Sequence, residues 1–205
     1  IQNGTFKDLY IGDYWTIGGV NYRIAAFDYY LTTGDTACNT HHAVIVPDTN
    51  LYNAQMNTSN VTTGAYVGSA MYTANLAQAK TTIKSAFSGH VLSHRAYLKN
   101  AVSNGYESAG AWYDSEIELM TEQNVYGGIL FAHTSSGTNI PAGYTIDKSQ
   151  YPLFAMRPDL QSNRQTYWLR DVVSAASFAG VAGGRADNLA ASYSIGVRPA
   201  FCIKG

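Results

Sequence analysis

Hydrophobic positions change their period several times along the chain, and each change predicts an element. Residues 14–27, YWTIGGVNYRIAAF, set two β-rich runs on either side of Gly18-Gly19, the signature of a hairpin closed by a two-residue turn. HHAVIVPD (41–48) predicts a third strand, ended by Pro47. Over 68–87, Tyr72, Leu76, Ala79, Ile83 and Phe87 recur at spacings of three and four, which predicts an amphipathic helix. A second short helix is expected over SHRAYLKNAV (93–102), where Ser93 would cap it and Leu98 and Val102 would share a face. From about Gly105 to Pro152 the chain is punctuated by Gly, Ser, Thr and Pro, and long loops are expected around one short helix near DSEIELMTE (114–122). Four compact β runs follow: YPLFAM (151–156), TYWLRDVV (166–173), SFAGVA (177–182) and IGVRPAFCI (195–203). With no internal repeat and no linker, the pattern predicts one α+β domain over residues 1–205. Its core would be a small mixed sheet with two helices and long loops, the N- and C-terminal strands sharing that sheet.

Composition narrows the setting. Charged residues make up 13% of the chain, about half the usual quarter, so Tyr, Asn, Ser, Thr and Gly must supply the polar surface. Such surfaces are common on adhesive, extracellular and virion-surface proteins. Net charge is −1 and there is no basic run, which argues against nucleic acid or an anionic membrane as partner. No apolar run reaches the length of a membrane span and no signal peptide is visible. The chain opens abruptly at Ile1, so it could be the C-terminal part of something longer. Cys38 and Cys202 could form one bridge or stay reduced; two cysteines make no disulfide framework.

Candidate chemistry is sparse. Ser108 in YESAG lacks the first glycine of a nucleophile elbow, and GVAGGRADN fits no phosphate-loop or dinucleotide spacing. Asp114, Glu116 and Glu118 alternate and could serve a carbohydrate-active enzyme, but paired carboxylates must face each other across a substrate. A solvated face is the expectation. In CNTHH (38–42), Cys38, His41 and His42 could begin a metal site completed by His90, His94 or His133. Adjacent histidines on a strand point to opposite faces, so the expectation is one packed His, one solvated His and no metal. No cofactor and no catalytic residue is expected. Trp168, Arg170 and Arg198 read as scaffold, with each Arg stacked on an aromatic and bonded to loop carbonyls. Alternation would put Trp168 and Arg170 on one face and Leu169 and Asp171 on the other.

Residues 167–203, YWLRDVVS…FAGV…ASYSIGVRPAF, resemble the C-terminal part of a phage-associated domain family of unknown function. They also resemble the C-type-lectin-fold variable proteins of diversity-generating retroelements. Residues 8–30 and 41–57 are similar to the same phage family, so the resemblance spans nearly the whole chain. It implies a C-type-lectin-like fold that ends in a Trp- and Arg-bearing strand, a displayed loop region and a closing strand with a Gly-x-Arg signature. The related formylglycine-generating enzymes use a reactive cysteine pair, and neither Cys38 nor Cys202 stands in that pattern.

Retroelement mutagenesis acts chiefly on AAY codons, which cannot become Lys, Glu, Gln, Met or Trp. Residues 174–194 contain none of these five. The resemblance therefore implies a non-enzymatic ligand- or receptor-binding domain on a virion surface or outside the cell. Ser177, Ala179, Arg185, Asp187, Asn188 and Tyr193 would contact a protein or glycan of a bacterial surface. Trp168, Arg170, Arg198 and Phe201 would form the fixed frame. Other virion proteins and further copies of the chain are additional candidate partners. A decoration or tail module without diversified binding is the alternative.

Overall fold

The computed structural model describes residues 1–132 and 149–205. Strands β1 (Tyr14–Ile17) and β2 (Val20–Phe27) form the predicted hairpin. Both turn glycines have positive φ, 58° and 79°, the type I′ geometry that follows the natural twist of paired strands. β2 pairs with β3 (Ala43–Pro47), whose five residues are all buried. β3 in turn pairs with the last strand, β12 (Pro199–Ile203), which also holds β7 (Ile117–Leu119). The order of this antiparallel sheet is β1-β2-β3-β12-β7, so the two ends of the chain do share a sheet.

A second five-stranded sheet runs β10-β9-β8-β11-β4. Its members are β4 (Tyr52–Ala54), β8 (Tyr167–Val172), β9 (Ser177–Ala182), β10 (Arg185–Ala190) and β11 (Ile195–Val197). The expected closing strand 195–203 is thus divided at Arg198. Its first half belongs to the second sheet and its second half to the first. The class is α+β, mostly sheet with a few short helices.

Helix α1 (Ala77–Ala86) follows a π-helical turn at Met71–Asn75, and together they fill the predicted helical stretch. The second expected helix is instead a strand, β5 (His94–Ser103), paired with β6 (Tyr106–Ser115) in a separate hairpin. Leu98 and Val102 are four residues apart, an even number, so their spacing satisfies the strand period as well as the helical one. Asn104 and Gly105, with φ of 53° and 81°, close that hairpin. The long-loop reading of 105–152 therefore fails over 106–119, while residues 133–148 of it lie outside the described residues. The helix expected at 114–122 begins only at its end, as α2 (Glu122–Tyr126), capped reciprocally by Thr121 and Asn124. YPLFAM is not a strand either. Pro152 occupies the first turn of α3 (Pro152–Met156), and α4 (Pro158–Ser162) starts the same way.

The sheets enclose two apolar clusters. Ile24, Ile45, Ile83, Trp168, Phe178, Val197 and Phe201 belong to one. Val44, Val46, Tyr151, Phe154, Leu169, Val181 and Cys202 belong to the other. Cys38 and Cys202 are both buried free thiols. No helix among the described residues is long and apolar enough to cross a membrane.

Candidate functional site

The framed segment rests on four anchors. Trp168 is fully buried, and its indole Nε1 donates to the carbonyl of Ala54 at 2.9 Å. Arg198 is also fully buried. Its guanidinium donates to the carbonyls of Pro47 (2.8 Å), Leu160 (2.9 Å) and Gln161 (3.3 Å), and it lies over the rings of Tyr167 and Phe154. Two residues earlier, Gly196 leaves space for Asn50, which a Cβ would overlap. Asn50 uses that position to donate to the carbonyl of Thr166 at 3.0 Å. The Gly-x-Arg signature is thus two packing requirements on one strand. Phe201 packs its ring against Tyr22 and Phe87.

Between the anchors the chain is not an irregular displayed loop. It is the hairpin β9–β10, turned by Gly183 and Gly184 with φ of 60° and 91°. β9 is covered on both sides: Phe178 faces the first apolar cluster, Ala179 and Val181 the second. Ala179 is therefore removed from the candidate face, because its side chain is wholly buried. Ser177 is half-buried, its hydroxyl 2.6 Å from that of Ser174. β10 is an edge strand of its sheet. Arg185 and Asn188 are exposed on it, and Asp187 is half-buried 3.7 Å from the Arg185 guanidinium. Tyr193, 55% exposed, stands just beyond. Several of the segment's small residues are small because they pack closely. Ala191 is fully buried, and Gly180 lies against Leu189.

Arg170 does not share the surroundings of Trp168. The register between β8 and β9 moves from Trp168↔Gly180 to Val172↔Phe178. Four steps on β8 are matched by two on β9, so β8 carries a bulge that suspends its alternation. Arg170 and Asp171 consequently line the same polar recess, together with Tyr66, Tyr97, Lys99, Glu107 and Thr121. The recess measures about 40 Å³, room for roughly two or three waters. Its walls are firmly bonded. Glu107 accepts the Val172 N–H at 2.9 Å, and Asp171 accepts the Glu122 N–H at 2.6 Å. The Tyr66 hydroxyl donates to Glu118 at 2.8 Å and accepts from the Leu119 N–H. Burial, then the charge of Glu107, raises the Asp171 carboxyl well above the usual range. Burial likewise raises Glu118, although Tyr66 and Arg170 oppose it. The Lys99 ammonium is shielded from solvent and makes no hydrogen bond among the described residues.

No family model, no curated protein and no solved structure matches this chain. Its site must be read from its own geometry.

The other candidates are dispersed. Asp114 pairs with Arg95 on the outside of β6, Glu116 reaches Lys84, and Glu118 is buried under Tyr66. These three acids have three different partners. In CNTHH, His42 is fully buried. Its Nε2 accepts from the Tyr30 N–H at 3.0 Å, which leaves Nδ1–H to donate to the Thr40 carbonyl at 2.8 Å. Burial holds its pKa below the ordinary value. His41 is half-exposed, 2.7 Å from Asp28. The Cys38 sulfur lies 3.8 Å from the Thr40 carbonyl. His133 lies outside the described residues. Among the described residues no three His, Cys, Asp or Glu side chains are grouped to hold a metal ion.

Sequence reasoning missed Lys99, Glu107 and Asp171. The Asn104-Gly105 dipeptide was the available signal, since it sets the β5–β6 register that brings Val102 opposite Glu107.

Proposed function

We propose that the chain is a non-enzymatic ligand-binding domain of C-type-lectin-like fold, carried on a virion or outside the cell. It presents the edge of the β9–β10 hairpin to a protein or glycan of a bacterial surface, with Arg185 and Asp187 on one face, Ser177 and Asn188 on the other, and Tyr193 just beyond. One observation carries the reading. The outward side chains of β10 are backed by β9, a strand covered on both faces, and by the buried anchors Trp168 and Arg198. Residues on such a strand can be exchanged without disturbing what lies beneath. A segment free of the five residues that AAY codons cannot reach is consistent with that use, and so is the sheet shared by both chain ends.

The test is a small library at these five positions, limited to AAY-accessible residues and scored for thermal stability and for adsorption to host cells. Surface exchanges should cost under about 0.5 kcal/mol each, while adsorption should change sharply because few contacts carry an interface. Ala179→Asn serves as the buried control and should unfold or strongly destabilise the chain. Unchanged adsorption in every folded variant would instead favour the structural virion module. A near-copy of residues 167–203 beside a reverse transcriptase gene would support diversification directly.

A further inference from the structure

A strand at the margin of a sheet presents N–H and C=O groups with which a second chain can pair, and proteins usually block them. Three of the four outer strands of the two five-stranded sheets are blocked here. β7 is buried, and its Leu119 N–H donates to the Tyr66 hydroxyl. β4 is three residues long, and the Trp168 indole holds its Ala54 carbonyl. On β10 the Asp187 carboxylate accepts the Asn188 N–H at 2.9 Å, and the Ala190 carbonyl accepts from the Tyr193 N–H.

β1 is open. Its two-residue turn makes Ile17 and Val20 a hydrogen-bonded pair. At the other end the Ile24 N–H donates to the Asp13 carbonyl at 2.8 Å, which fixes the phase of the ladder. Trp15 therefore bonds inward to Tyr22. The N–H and C=O groups of Tyr14 and Thr16 point away from β2 and have no partner among the described residues. The strand carries no Lys, Pro or bulge to discourage pairing. It is also held in shape from behind. The Arg23 guanidinium lies 4.5 Å from the Tyr14 ring centroid, and the Thr16 hydroxyl donates to Asn21 at 2.7 Å.

This edge is complementary to itself. When β1 of a second copy arrives antiparallel about a two-fold axis, Tyr14 stands opposite Thr16, Trp15 opposite Trp15 and Asp13 opposite Ile17. Each outward N–H then meets an outward carbonyl. Trp15 is 36% exposed and braced edge-on by Phe87. It would face its counterpart at a non-hydrogen-bonded position, where opposed side chains approach most closely and an aromatic pair is stabilising. An open recess of about 340 Å³, lined by Leu9, Gly12, Asp13, Tyr14 and Trp15, lies where the second copy's Ile17 and turn arrive. Gly18 and Gly19 bring no side chain into it, and the Asp13 carboxylate is turned back onto the Tyr10 N–H at 2.9 Å. No like charges are opposed along the pair, because YWTI carries none.

We propose that two copies of the chain join through β1, antiparallel about Trp15, so that their β1-edged sheets become one continuous sheet. The interface is isologous. It leaves β10, an edge of the other sheet, free on both copies, whatever that strand binds.

The experiment follows sedimentation of the full chain from about 5 μM to about 1 mM, since so small an interface should dissociate in the upper micromolar range. A monomer–dimer equilibrium is expected. Amide exchange at Tyr14 and Thr16 should slow as the chain is concentrated, while exchange at Trp15, already bonded to β2, stays the same. Thr16→Pro removes an outward donor and no ladder bond to β2, so it should weaken the dimer by more than about tenfold and remain folded. Trp15→Cys reports the register. Diamide, which takes up both thiol hydrogens, should join two copies through that position. Thr16→Cys, out of register with itself, should stay unjoined, with the parent and its buried thiols as background. A chain that is monomeric at about 1 mM overturns the proposal. So does a dimer that leaves exchange at Tyr14 and Thr16 unchanged, or one that forms equally well in a folded Thr16→Pro variant. If Thr16→Pro does not fold, the cross-link decides, and its failure in Trp15→Cys overturns the proposal.

Discussion

At Arg198 a guanidinium is buried by meeting three carbonyl oxygens between two aromatic rings. A lysine has no planar fork to reach all three, and each orphaned carbonyl costs about 1–3 kcal/mol. Arg198→Lys should therefore lower stability by about 2–4 kcal/mol in urea denaturation. Trp168→Ala empties a large aromatic site and orphans the Ala54 carbonyl, so about 3–5 kcal/mol is expected. If Trp168→Ala kept its melting temperature and lost ligand instead, Trp168 would be a contact and not an anchor. A third residue gives a pH dependence. Burial, then the nearby charges of His42 and Arg170, pushes the His94 pKa down to about 3, whereas an unfolded His titrates near 6.5. Between those values the unfolded chain takes up a proton that the folded chain refuses. The His94 contribution to stability is thus present above about 6.5 and is lost as pH falls toward 3. Asp171 and Glu118, whose carboxyls are raised, act in the opposite sense, and their contribution is lost as pH rises above about 4. His94→Phe keeps a ring against Tyr30, 4.1 Å away in the parent. It should reduce by about one proton the slope of stability against pH between 6.5 and 4. An unchanged slope would remove His94 from the acid response. Trp168 and Arg198 were legible in the sequence because bulky residues in an apolar run are seldom surface residues. Lys99, Glu107 and Asp171 were not, because their burial depends on partners far along the chain.

Hairpins organise the elements, and each is set by a pair of residues. Gly18-Gly19, Asn104-Gly105 and Gly183-Gly184 all adopt positive φ at both positions. The first was readable because alternating runs flank it. The second was obscured by Leu98 and Val102, whose spacing fits helix and strand alike, and the third by a segment whose small residues resemble a loop. The β5–β6 hairpin depends strongly on its turn, since its two strands form a sheet of their own. Gly105→Val should cost about 1–2 kcal/mol, the penalty for a branched residue in the left-handed region. Amide exchange should quicken along β5 and β6 and remain unaltered in β2 and β3. Equal quickening in both sheets would show that the hairpin is no separate unit. The bulge in β8 could not have been foreseen, as strand periodicity in YWLRDVV predicts unbroken alternation. That bulge turns Asp171 toward the recess.

For the whole molecule, the decisive junction is where β11 ends and β12 begins. A chain that leaves one sheet at Val197 and enters the other at Pro199 prevents the sheets from unfolding independently. Tryptophan fluorescence and far-UV circular dichroism should therefore report a single coincident urea transition. Removal of residues 199–205 should abolish it, because β3 and β7 would lose the strand between them. Two separated transitions would contradict this coupling.

Charge is scarce in this chain, and some of it is spent inward. Glu107, Glu118, Glu122 and Arg198 are all buried, and the net charge is only −1. Little field remains to draw a partner in from a distance. Encounter should then proceed at the unsteered rate of about 10⁵–10⁶ per molar per second, with little response to salt. Differences in grip would reside almost entirely in how long a contact lasts. Many copies arrayed on one particle could convert brief individual contacts into lasting attachment, a regime in which each copy benefits more from slow release than from fast capture.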